Sequence, residues 1–287
     1  MMQWHKFKSL GKREFDTRLV LTALASVSSW CLSLSVSVYY TLREPHDQGT
    51  IVGRRIWDQN MTHNQGFALD SSCMNAFWIA LFAAQLFAVI GIVLRGRKDD
   101  STMAICIHFC VNNLLHAISI ILFVRSVFGW TEFILVLNFV NLSCLHFLHQ
   151  TAPLYVCGPL VSGPLSWGFL AMYWNGSMAV DAGDNARNVL TVLAMFGILG
   201  YGLFISMAFK DRVVAVALGF FAAAIAIAQF RLEQDDFRWI TPTITSSILV
   251  FTSVLSISLN IRKGKVLDWE CDERKEDDGS GKHSELV

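Results

Sequence analysis

Long apolar runs with few or no charged residues dominate this chain and constrain its fold more than any other feature. A helix needs about 20 apolar residues to cross a hydrocarbon core of about 30 Å. The strands of a membrane barrel would instead alternate apolar and polar residues, and these runs do not. The sequence predicts an all-α, polytopic membrane helix bundle with eight spans at 19–42, 74–94, 103–124, 128–148, 160–180, 189–209, 213–230 and 240–261.

The composition agrees with a membrane class. The chain is 53% hydrophobic and 16% charged, whereas soluble domains average about 25% charged residues. This composition makes the lipid bilayer the expected partner. The formal net charge is zero, so we expect no nucleic-acid partner. The seven cysteines form no C-x-x-C pair. We therefore expect no disulfide framework, no metal site and no cofactor.

The spans divide the chain into three parts. Residues 1–18 form a basic N-terminal segment, and residues 19–261 form the eight-span domain. The first span is too long for a cleaved signal peptide and is interpreted as a signal anchor. Residues 262–287 are rich in charge, Gly and Ser, and we expect a disordered tail that binds unknown protein partners.

Charge distribution predicts the orientation. Most of the 23 Lys and Arg residues lie on the side of the two termini, which predicts that both termini are cytosolic. The long loop 43–72 is then luminal or extracellular. It carries the sequon Asn60-Met61-Thr62, so we expect a glycoprotein modified at Asn60.

The third and fourth spans carry polar side chains. His108, Asn112 and His116 follow at i, i+4 and i+8 on one side of the third span. One hypothesis is a lining for a solute or proton path, since intramembrane ionisable groups are often functional. The other is interhelical hydrogen bonding, worth about 0.6 kcal/mol for each bond. Asn138 and Asn141 lie on a shared flank of the fourth span. A short hairpin joins the third and fourth spans, so we expect them to be antiparallel neighbours. The asparagines can then form hydrogen bonds with the polar residues of the third span.

Glu132 and Arg125 lie at the same level on either side of that hairpin. The two residues predict an ion pair, which would reduce the cost of about 2.5–3.5 kcal/mol that a lone charge carries at a helix centre. The alternatives are a gating or substrate contact of Glu132, or no contact between the two residues.

Two Gly-Pro steps, Gly158-Pro159 and Gly163-Pro164, predict that the fifth span begins irregularly and bends near Pro164. Broken helices line ion sites in transporters, but bends also occur in membrane helices without such a role. Later spans carry small residues for close packing, among them Ala215, Gly219 and Ala223. Trp130, Trp174 and Trp239 near span ends predict an interfacial belt.

Several runs resemble a known family. The runs SVSVYYTL, VNNLLH, TEFILVLNFVNL, APLYVCGPLVSGPLSW and FGILGYGLF are similar to the fungal multi-pass membrane proteins catalogued as domain of unknown function 1774. The similarity runs from the first span to about the eighth, with VNNLL and VSGPLSW its most specific pieces. It leaves out the long loop and the tail. The resemblance implies an integral membrane protein and no particular reaction, substrate or catalytic residue.

The sequence contains no soluble catalytic motif such as G-x-S-x-G or H-E-x-x-H. We expect a non-enzymatic membrane protein with a structural or adaptor role in an endomembrane or the plasma membrane. The alternative is a small-solute or proton transporter with a polar path between the third, fourth and fifth spans. An intramembrane enzyme would require His108, His116 and Glu132 to converge. Organelle, substrate and oligomeric state stay open.

Overall fold

A computed structural model of the chain describes residues 17–46, 53–63, 66–95, 100–148, 153–180, 184–233 and 236–262. These residues form helices and connecting turns, without strands in the described ranges. The helices are α1 (Thr17–Leu42), α2 (Ile56–His63), α3 (Ser71–Arg95), α4 (Asp100–Phe123), α5 (Phe128–Leu148), α6 (Leu154–Ala179), α7 (Asp184–Ala208), α8 (Arg212–Arg231) and α9 (Asp236–Arg262).

All of these helices except α2 are long and apolar enough to cross a membrane, which gives eight candidate spans in the described part of the chain. The all-α bundle that the apolar runs predicted is therefore confirmed. The predicted disordered tail and most of the basic N-terminal segment lie outside the described residues.

Helix α6 lies at the centre of the bundle. Of its most apolar window, 78% is buried inside the protein, against 17% for α1. It packs against α5 and α8, and α5 in turn packs against α4, which contacts α1. A helix that is apolar on all sides is expected in an interior position. Both Gly-Pro steps lie in this central helix.

The start of α6 differs from the prediction. The helix begins at Leu154 and not near residue 160, and a π-helical turn over Gly158–Ser162 interrupts it. The backbone N–H of Gly163 donates to the carbonyl of Gly158, which gives the wider turn. Proline lacks an N–H, so an ordinary α-helical bond is missing at Pro159. A π turn keeps the chain helical at this point, which is why the span is longer than predicted.

Helix α2 lies in the long loop and was not predicted. The indole of Trp57 donates to Asn75 Oδ1 of α3 at 3.1 Å. The Gln59 amide donates to Ser126 Oγ at 2.7 Å, in the turn between α4 and α5. Burial lowers the pKa of His63, with a further contribution from the nearby Arg54 charge. The loop helix is therefore attached to α3 and to the turn between α4 and α5.

The three tryptophans predicted at an interface have different environments. Trp130 is 64% exposed near the start of α5, whereas Trp174 is only 5% exposed. Trp239 is partly buried in α9. The prediction was wrong for Trp174, because its ring packs inside the core and its N–H has a protein acceptor, Asn60 Oδ1, at 2.9 Å.

Gly219 is the point of close approach between α8 and α9. A methyl group added at Gly219 would lie 3.1 Å from Val250 Cγ2 and 3.5 Å from the carbonyl oxygen of Ser246. A methyl group at Gly200, which is exposed, would meet nothing within 4 Å. The small-residue face of this helix is thus used for packing within the chain.

Replacing Gly219 with leucine should lower the stability of the purified protein by about 1–3 kcal/mol, the usual cost of overpacking. Gly200→Leu is the matched control and should unfold at the wild-type temperature. The midpoint of thermal unfolding in detergent, followed by intrinsic fluorescence, provides the measurement. Equal midpoints for the two variants would contradict this packing.

Candidate functional site

Two pairs of polar side chains join α4 to α5. The His108 ring nitrogen Nδ1 lies 2.7 Å from Asn141 Oδ1, and Asn141 Nδ2 donates to the His108 carbonyl at 3.1 Å. Because Oδ1 only accepts, His108 Nδ1 must carry the proton. One turn further along, Asn138 Nδ2 donates to Asn112 Oδ1 at 3.0 Å. These four residues, which we call the polar seam, form the contacts predicted across the hairpin.

One hydrogen-bond acceptor of the polar seam is unpaired among the described residues. Asn138 Oδ1 is buried and accepts no hydrogen bond from the described residues. Asn112 and Asn138 are each 5% exposed, so this end of the seam is closed to solvent. The three hydrogen bonds of the seam each join α4 to α5.

His116 lies outside the polar seam. Its Nε2 is 3.4 Å from Ser37 Oγ of α1, and its ring stacks on Trp78 of α3 with centroids 4.6 Å apart. Asn113, three residues before His116, donates to Ser29 Oγ of α1 at 3.3 Å. Each step of four residues rotates about 40° around a helix. His116 is therefore turned by about 80° from His108, and the predicted single stripe divides between two neighbours.

The predicted ion pair between Arg125 and Glu132 is not formed in the described structure. Arg125 donates to the Ile121 carbonyl at 2.9 Å and to the Tyr40 hydroxyl at 3.3 Å. Glu132 Oε2 accepts from Asn175 Nδ2 of α6 at 2.8 Å. The central helix supplies a neutral partner at this level, and the Arg125 side chain turns back onto its own helix and α1.

The three residues that an intramembrane enzyme would need do not share a site. His108 contacts Asn141, His116 contacts α1 and α3, and Glu132 contacts α6. General acid–base chemistry requires groups within hydrogen-bond reach of one substrate atom. The hydrogen bonds of these three residues run to different neighbouring helices.

Asn60, the predicted glycosylation site, is buried in the fold. It is 1% exposed, and its Nδ2, the atom that would carry a glycan, donates to the Leu69 carbonyl at 3.0 Å. Its Oδ1 accepts from Leu69 N and from Trp174 Nε1, both at 2.9 Å. A glycan at this nitrogen would disturb the first contact. The sequon therefore gives no support to the predicted orientation.

A polar cluster at the other end of the bundle was missed by the sequence reasoning. Asp211, between α7 and α8, caps α8 by accepting from Val213 N at 2.9 Å. Its other oxygen accepts from Ser162 Oγ in the π turn of α6 at 2.6 Å. His146 Nδ1 of α5 lies 3.6 Å from the same oxygen. The available signal was an aspartate directly before an apolar helix, the pattern of an N-cap.

The Ser162, Asp211 and His146 cluster differs from a hydrolytic triad in its order. In a triad the histidine lies between the serine and the carboxylate and takes the serine proton. Here the carboxylate lies in the middle and accepts directly from the serine hydroxyl. This order joins α5, α6 and α8 without activating the serine.

The Gly-Pro segment makes one further polar contact. The Pro159 carbonyl accepts from Gln85 Nε2 of α3 at 3.3 Å. A methyl group at Gly163 would lie 2.8 Å from Leu81 Cδ1, which also belongs to α3. Gly163 thus lets α3 approach α6 closely. The Pro159 carbonyl near it is occupied by a hydrogen bond from Gln85.

Comparison with known proteins concerns the last third of the chain. Residues 188–281 match the model of a family described as a fungal protein of unknown function, DUF1774. The match confirms the resemblance for this part, which contains FGILGYGLF and most of α7 with all of α8 and α9. VNNLL and VSGPLSW lie outside it, and residues 262–281 of the tail lie inside it, contrary to expectation. No curated protein and no solved structure matches the chain.

Two replacements in the sequon should have different effects. Asn60→Gln removes the buried contacts and should lower stability by about 1–3 kcal/mol, the cost of unsatisfied buried groups. Thr62→Ala is the control, because it destroys the sequon, and the exposed Thr62 side chain hydrogen-bonds to the backbone carbonyl of Asp58 on its own helix. Neither should change electrophoretic mobility after expression in a glycosylating host. A mobility shift shared by both variants would show a glycan.

Asp211, which lies inside the DUF1774 match, should be required for stability. Asp211→Ala removes the cap of α8, worth about 0.5–2 kcal/mol, together with the acceptor for Ser162. Asp211→Asn keeps a capping oxygen and should lose less. Thermal unfolding in detergent compares the two, and equal loss in both would assign the effect to charge and not to capping.

Proposed function

We propose that this chain is a non-enzymatic integral membrane protein with a structural or adaptor role in an endomembrane or the plasma membrane. The observation that carries the proposal is the pairing within the polar seam. His108 with Asn141, and Asn112 with Asn138, use each other as partners across the α4–α5 interface. Side chains that serve one another in this way fasten two helices together.

The pairing also bears on the alternative, a transporter for a small solute or protons. Such a path needs polar groups that exchange partners with water or a solute along its length. Here the amide side chains of Asn112 and Asn138 are each only 5% exposed, and the seam lies between two adjacent helices. The unpaired acceptor Asn138 Oδ1 is a feature of the described residues that favours a path.

The orientation with both termini cytosolic belongs to this proposal and is supported by the Lys and Arg distribution. In that orientation the Ser162, Asp211 and His146 cluster lies at the cytosolic end of the bundle. The tail from residue 263 then extends into the cytosol, where its dense charge suits it to bind partner proteins.

Truncation after Arg262 tests the adaptor role. Because the tail is the proposed partner-binding segment, its removal should change localisation or the proteins that co-purify with a tagged copy. The control is Gly200→Leu, which changes an exposed position where an added side chain meets nothing within 4 Å, and it should leave both readouts unchanged. Unchanged partners and localisation after truncation would contradict the adaptor role.

Thiol labelling tests the transporter alternative. Cysteines placed at positions 112 and 138 in a cysteine-free background should resist both permeant and impermeant reagents in intact membranes. Position 130, where Trp130 is exposed, provides a site outside the seam for comparison. Labelling at 112 or 138 from one side would favour a water-filled path and overturn the proposal.

A further inference from the structure

A cavity of about 290 Å³ lies in the half of the bundle that carries α2. Five spanning helices, α1, α3, α4, α5 and α6, contribute to its wall, each with the part that adjoins α2. Ile56 and Trp57 of α2 line it from the loop side. The polar seam lies outside its lining, so the cavity is a separate feature of the bundle.

The cavity opens sideways, toward the lipid. Among its lining residues, Leu42 of α1 is 69% exposed and Ile79 of α3 is 72% exposed. Helix α1 packs chiefly against α4, which leaves its contact with α3 slight. These apolar, exposed side chains mark an opening between α1 and α3 on a surface that faces acyl chains. A molecule dissolved in the bilayer can enter there without crossing water.

Aromatic rings form the inner wall. Trp78 and Trp167 have ring centroids 5.2 Å apart, and those of Trp167 and Trp174 are 5.8 Å apart. Phe123 lies against Trp174 with centroids 4.5 Å apart. Among the described residues that line the cavity there is no Lys, Arg, Asp or Glu. Such a wall suits an uncharged hydrocarbon body.

One buried polar atom of the lining lacks a partner. Asn175 Nδ2 donates to the Phe128 carbonyl at 2.9 Å and to Glu132 Oε2 at 2.8 Å, and these two acceptors fix the orientation of the amide. Asn175 Oδ1 is buried and accepts no hydrogen bond from the described residues. A buried acceptor left unsatisfied is unfavourable, so this oxygen calls for a ligand that donates a hydrogen bond.

We propose that this cavity binds a neutral membrane lipid that carries a hydroxyl group. The lipid enters between α1 and α3, its hydrocarbon body packs against the tryptophan wall, and its hydroxyl donates to Asn175 Oδ1. A sterol and a diacylglycerol both have this chemistry. The inference concerns binding and does not depend on the adaptor role of the tail.

Energy transfer from tryptophan measures the binding directly, since four tryptophans line the cavity. The full chain, purified in detergent, is titrated with a fluorescent polyene sterol and, separately, with a diacylglycerol carrying a polyene acyl chain. At least one of the two should give saturable transfer that its unlabelled counterpart abolishes, and which one does so identifies the lipid. Transfer that rises without saturation for both would overturn the proposal.

A matched pair of variants locates the site. Ala171 is buried and lines the cavity, so Ala171→Phe should fill it and abolish saturable transfer. Ala83, on the exposed side of α3 and outside the lining, gives the control Ala83→Phe, which should bind like the wild type. Equal binding by both variants would place the lipid elsewhere and overturn the proposal.

The hydroxyl contact has a test that needs no variant. The methyl ether of the bound lipid keeps the hydrocarbon body and loses the donor. One hydrogen bond to a buried acceptor corresponds to about fivefold to tenfold in affinity, so the ether should compete more weakly with wild-type protein by that factor. Equal competition by the ether, or by a fatty acid anion, would overturn the role of Asn175.

Discussion

The pairing of polar side chains inside an apolar bundle is the interaction on which this structure depends. Lipid tails are as apolar as leucine, so apolar contacts alone give little preference for one arrangement of helices over another. Polar pairs do discriminate, because a mispaired amide or imidazole in hydrocarbon is costly. His108 and Asn112 set the register of α4 against α5, and Asn113 ties the same helix to α1.

Two buried or half-buried carboxylates make polar contacts at helix ends. Asp70 caps α3 through Cys73 N at 3.0 Å and also pairs with Arg231 at the end of α8. Asp211 caps α8 at the opposite end and reaches α6 through Ser162. A carboxylate at a helix N-terminus satisfies free amides and complements the helix dipole. Placing both carboxylates at such positions lets α8 be joined to its neighbours at each end.

Sequence patterns predicted the spans well because crossing length and apolar content are properties of a single helix. The contact of Asn138 with Asn112 was also predictable, since a short hairpin fixes which helices are neighbours. The partners of Glu132 were not, because Asn175 reaches it from a helix more than 40 residues away. The sequon at Asn60 matched a pattern that contains no information about burial. The cavity, a product of five helices packed together, has no counterpart in local sequence.

The loop helix and the cavity are physically one unit. The Asn60 carboxamide accepts from Trp174, whose ring belongs to the cavity wall. Trp57 donates to Asn75, so α2 is held to α3 at a second point of the same cavity. Both contacts connect a loop residue to a lining residue of a spanning helix. Helix α2, which the composition shows only as part of a polar loop, therefore helps to form the cavity. The hydrogen bond from Trp174 gives the burial of Asn60 a structural reason.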